Sequence, residues 1–129
     1  MSIRERAMML TGMAFPLGSL LGVWLGRSTA PAASGGGFQD IVWTIFWFVA
    51  GAPLLTLLVY ALATRTIEMD RQTRIRAAGT EILGIVVGSL ALYAALIVNA
   101  RTGQQVSIVI GLLLGGALVA LFTRRALRA

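Results

Sequence analysis

The stretch ILGIVVGSLALYAALIVNA, residues 82–100, decides the fold. It contains no Asp, Glu, Lys or Arg and lies between Glu81 and Arg101. An α-helix needs about 20 residues to cross ~30 Å of hydrocarbon, and this segment supplies them. Hydrocarbon offers no partner for N–H and C=O, so a span must pair its own backbone, as a helix does. Working outward, residues 7–26, 41–64 and 102–123 are equally free of charge. A transmembrane barrel would show alternating strands of ~10 residues, and the sequence has none. The expectation is an all-α membrane protein of one domain, residues 1–129. Its four transmembrane helices cover about 7–26, 41–63, 77–99 and 106–122 as two antiparallel hairpins.

Composition agrees. The chain is 57% hydrophobic and 12% charged, half the roughly 25% charged share of a soluble domain. It has no cysteine and no histidine. Thiolate chemistry is therefore excluded, along with the commonest metal ligand and the side chain best matched to proton transfer near neutral pH. No phosphate-binding loop, dinucleotide fingerprint or Ser/His/Asp arrangement occurs. The expected reading is a non-enzymatic protein without cofactor or metal. All eleven basic residues are Arg, which we read as codon bias in a GC-rich, bacterial genome. A sequence pI near 11.6 follows from membrane topology and not from nucleic-acid binding.

Arginine placement sets that topology. Arg4 and Arg6 precede the first span, and Arg27 stands alone in the first connection. Arg65, Arg71, Arg74 and Arg76 crowd the second, Arg101 is alone in the third, and Arg124, Arg125 and Arg128 follow the last span. The positive-inside rule places the rich segments in the cytoplasm, so both termini are expected there, in a cytoplasmic (inner) membrane. The apolar stretch 7–26 exceeds the 7–15 residues of a signal-peptide core and reads as a retained span.

Within the spans, Gly18, Gly22 and Gly26 repeat every four residues, as do Gly84 with Gly88 and Gly111 with Gly115. Such small-xxx-small stripes let helices approach closely. They are the expected helix-packing surfaces, within the chain or toward other transmembrane subunits or further copies. Pro16 and Pro53 each remove a ladder hydrogen bond and predict kinks. Trp24, Trp43 and Trp47 fall near the outer boundary as an aromatic belt. Residues 28–39, rich in Ala, Ser and Gly, read as a flexible extracytoplasmic loop, and residues 64–76 as a basic cytoplasmic loop. There Arg65, Arg71, Arg74 and Arg76 are candidate contacts for anionic lipid. Matches at an offset of 70, Arg4/Arg74, Ala7/Ala77 and Gly18-Ser-Leu20/Gly88-Ser-Leu90, suggest duplicated hairpins.

Glu81 is the carboxylate closest to a hydrophobic span. With helix 3 starting near Ala77 it would sit in the first turn, where the helix dipole favours an anion. It is the candidate ion-pair or ion site, since intramembrane ionisable groups are costly and usually functional. No long polar stripe marks a conduction path, and four helices leave no room for an aqueous pore. The expected function is an accessory or assembly subunit of a larger membrane complex, energy-transducing in one version. The alternative is a small homo-oligomeric channel or transporter, a hole-forming lysis protein included. The partners expected are the bilayer and other transmembrane chains, with no nucleic acid.

Overall fold

The computed structural model describes residues 2–29 and 38–128. It contains four helices: α1 (Ile3–Thr29), α2 (Phe38–Ala63), α3 (Arg71–Thr102) and α4 (Val106–Arg128). All four are long and apolar enough to cross a membrane. The chain is an all-α, four-helix integral membrane protein. Of the loop expected at 28–39, residues 28–29 belong to α1 and 38–39 to α2, and the remainder, 30–37, lies outside the described residues.

The helices overrun the spans read from hydropathy. Apolar residues mark where lipid begins, whereas a helix stops only where its backbone ladder is capped. The largest difference concerns the basic segment. α3 starts at Arg71 and not near Ala77, so Arg71, Arg74 and Arg76 ride on its first turns and only residues 64–70 form the connection. Asp70 is the reason. Its backbone is extended (φ −68°, ψ 165°) and its carboxylate accepts from the Thr73 N–H at 2.9 Å, an N-cap that satisfies one orphan donor. At the far end Gly103 takes the left-handed conformation (φ 72°) and its N–H donates to the Asn99 carbonyl, a glycine C-cap. α4 begins at Val106, so α3 and α4 form the tight hairpin that the short connection predicts.

α1 pairs with α2 and α3 with α4; α1 also packs along α4, while α2 and α3 touch only lightly. α1 is therefore the central helix, 39% buried over its span against 22% for α2. The antiparallel order gathers Arg4, Arg6, Arg65, Arg71, Arg74, Arg76, Arg124 and Arg125 at one end of the bundle. Trp43, Phe46 and Trp47 make ring contacts at the other end, where Trp43 Nε1 donates to Thr29 Oγ1 at 2.9 Å.

Glycines set the spacing inside each pair. A methyl group added to Gly18 would run into the Gly51 carbonyl, and one added to Gly22 into the Trp47 carbonyl. The α1–α4 seam is different. Pro16 has no N–H to give to the Gly12 carbonyl, and that oxygen lies 2.8 Å from where a Cβ on Gly116 would be. Gly116 lets α4 close over the carbonyl that Pro16 leaves free. α1 and α2 remain single helices through Pro16 and Pro53.

The buried positions of α3, namely 77, 81, 84, 85, 88 and 92, each correspond to a buried position of α1 seventy residues earlier. The hairpins thus share a register, yet the tight α1–α4 seam has no equal between α2 and α3.

Two outcomes follow from this packing. Gly22→Leu forces α1 away from a rigid backbone carbonyl, at or above the ~1–3 kcal/mol typical of overpacking. Thermal unfolding in detergent should show that loss, while Gly79→Ala, where nothing lies within 4 Å, leaves the midpoint unchanged or raised. The hydrogen bond from Thr73 holds the Asp70 carboxyl below its ordinary range. Its stabilisation is therefore complete above the unfolded value of about 3.9 and is lost as pH falls through the lower folded value. Measured against the intrinsic rate at each pH, exchange protection of the Thr73 amide should fall only in that acid range, and in Asp70→Ala it should be lost at every pH.

Candidate functional site

The arginine-rich half of the bundle is built in layers, because its helices present inward residues every four positions. Along α1 these are Ala7, Thr11 and Phe15, along α3 Ala77, Glu81 and Ile85, and along α4 Leu127, Thr123 and Val119. Ala7 and Leu127 join one apolar layer and the third residue of each set another, with a polar layer between them. Tyr60 of α2, 8% exposed, lies within electrostatic reach of Glu81 and completes the polar layer.

Glu81 is fully buried, with 0% of its surface exposed. It is ~15 Å along α3 from Arg71, so the first-turn position expected from the sequence does not hold and the helix dipole does not account for it. Its Oε2 lies 2.5 Å from Thr123 Oγ1, while Oε1 is buried with no hydrogen-bond partner. Thr123 Oγ1 is in turn 2.8 Å from the Val119 carbonyl. The other buried threonines of this half use their single proton on the carbonyl four residues back: Thr11 on Ala7, Thr56 on Ala52 and Thr64 on Tyr60.

Both sides of this layer are closed. Toward the middle of the bundle, Phe15, Ile85, Val119 and Leu92 form the apolar core with Phe48, Ala52 and Leu112. Toward the arginine-rich end, Ile67 of the 64–70 connection packs on Ala7 and Leu127. Arg74 holds that connection down: its guanidinium donates to the Ile67 carbonyl at 2.8 Å and to the Thr64 carbonyl at 3.3 Å. Arg4 does the same for the end of α4, donating to the Leu127 carbonyl at 2.8 Å.

The arginines expected to meet lipid, Arg65, Arg71, Arg74 and Arg76, are all exposed, and Arg74 also donates to the connection. The glycines of the three stripes have neighbours within the chain where a Cβ would stand. Gly18 and Gly22 meet α2 and Gly26 meets Thr44; Gly84, Gly88 and Gly111 meet residues of the α3–α4 pair, and Gly115 meets Phe15. Sequence reasoning missed Thr123 and the apolar key Ile67. Thr123 had a signal, because the short turn at Gly103 brings residues about equally far from it face to face, as 81 and 123 are. Among the described residues no group of His, Cys, Asp and Glu could hold a metal ion. Compared with known protein families, curated proteins and solved structures, the chain matches none of them.

Thr123→Val keeps the shape of the side chain and removes the one hydrogen-bonding partner that Glu81 has among the described residues. Leaving a buried polar group unsatisfied costs about 1–3 kcal/mol, so the variant should unfold at a lower temperature. The double variant Thr123→Val/Glu81→Leu should recover part of that loss in the same melt.

Proposed function

We propose that this is a non-enzymatic membrane protein of the channel or transporter class that binds a proton at Glu81. The observation that carries this reading is a fully buried carboxyl with one unpartnered oxygen and no guanidinium on it. An ionised carboxylate in such a place costs several kcal/mol unless it is paired, so the resting group holds a proton or a cation. Donor counting favours the proton. If Thr123 donates to Val119, as the neighbouring threonines donate to their own carbonyls, the proton between Glu81 and Thr123 belongs to the carboxyl.

Exchange with water requires one of the two apolar layers to part. The 64–70 connection, held by Arg74 and keyed by Ile67, is the thinner of the two. Its end faces the cytoplasm in a bacterial inner membrane by the positive-inside rule. Passage across the bilayer would further require the Phe15–Ile85–Val119 layer to open, through bundle rearrangement or assembly of several copies.

The accessory-subunit reading keeps one specific support, the sealed apolar core, which gives a single chain no water path. Its other support is weakened, because the glycine stripes that could have met foreign helices are used within the chain.

Purified protein in liposomes carrying a pH-sensitive dye tests the choice. Wild type should collapse an imposed pH gradient, and Glu81→Gln, which can still hydrogen-bond to Thr123, should slow that flux at least tenfold with its melting temperature nearly unchanged. A gradient that persists with wild type, or flux that is equal in Glu81→Gln, would overturn the proposal. A heteromeric complex in native mass spectrometry would then identify the subunit reading.

A further inference from the structure

Where the start of α1 passes the end of α4, a groove of about 500 Å³ opens at the arginine-rich end. Arg4, Glu5, Met8, Met9, Arg124 and Leu127 line it. The groove combines two chemistries. Arg4 and Arg124 bring two guanidinium groups against the single carboxylate of Glu5, and Arg124 is exposed. On the lipid side Met8 and Met9 form an apolar wall, with Met9 44% exposed. Arg4 is already fixed, because one of its nitrogens donates to the Leu127 carbonyl at 2.8 Å. That bond holds the guanidinium in place and leaves its other donors free. The four spans put this groove at the boundary between hydrocarbon and headgroups.

We propose that the groove binds one anionic phospholipid. Its phosphate lies between Arg4 and Arg124, and its first methylenes lie along Met8 and Met9. Two observations select this occupant over a soluble anion. The apolar wall is continuous with the lipid-facing surface of α1, where Leu10, Met13 and Leu17 are exposed, so an acyl chain has somewhere to go. The net positive lining favours an anionic over a zwitterionic headgroup. Methionine suits such a wall, since its flexible thioether adapts to irregular chains. The site is separate from the exposed arginines of α3 and from Glu81, and it does not depend on what Glu81 binds.

Native mass spectrometry of the full chain, delipidated and offered equal amounts of phosphatidylglycerol and phosphatidylcholine, tests this. The wild type should retain one phosphatidylglycerol with at least fivefold preference. Arg124→Gln should reduce that preference about fivefold, Arg124→Lys should keep most of it, and Arg71→Gln/Arg76→Gln should leave it unchanged. Arg124 makes no hydrogen bond that holds the helices, so its replacement spares the fold, which a melting curve of the same sample checks. Equal retention of the two lipids by wild type would overturn the proposal. So would a preference that survives Arg124→Gln but falls in Arg71→Gln/Arg76→Gln. Displacement of the bound lipid by millimolar inorganic phosphate would reassign the groove to a soluble anion.

Discussion

The whole structure depends on how closely α1 approaches its two neighbours. In a bilayer, lipid tails are as apolar as leucine, so helices gain little by hiding side chains from water. What holds them is contact, and contact is densest where backbones meet. Gly18 and Gly22 bring α1 onto the Gly51 and Trp47 carbonyls, while Gly12 and Gly116 bring it onto α4 over a carbonyl that Pro16 leaves free. Larger residues at these positions would separate the helices and loosen the layers beyond them.

Those layers give the arginine-rich half its chemical character. Close spacing buries Glu81 completely, so the carboxyl faces what the helices present. They present a threonine hydroxyl on one oxygen and nothing on the other. The same closeness seals the middle of the bundle with Phe15, Ile85, Val119 and Leu92. One constraint thus produces both the isolation of the carboxyl and the lack of an open path past it. The connection between α2 and α3 adds to the seal: Ile67 supplies an apolar key, and Arg74 supplies donors for the Thr64 and Ile67 carbonyls of the connection itself.

Arginine has three distinct uses here. Arg74 and Arg4 tie down the α2–α3 connection and the end of α4 from the surface of the bundle. Arg65, Arg71 and Arg76 stay in the open. Arg124 faces a groove with an apolar wall. In sequence all of them read alike, as one bias of positive charge toward one side.

The sequence by itself determined the four helices, the pairing of neighbours into hairpins and the end at which arginine collects. Each of these follows from local facts: long uncharged runs, short connections, and a backbone that must pair itself in hydrocarbon. It also singled out Glu81 and the glycine positions. Only the tertiary structure decided what those residues face. Gly22 and Gly111 obey the same spacing rule, and a stripe of small residues does not say whether its partner belongs to the same chain. Nor could an apolar window show that α3 starts at Asp70's cap, which moves Glu81 from a first turn to the inside of the bundle. Burial depends on helices distant in sequence, and α1 meets α4 across nearly the whole chain. That contact, invisible to any local pattern, encloses the polar layer.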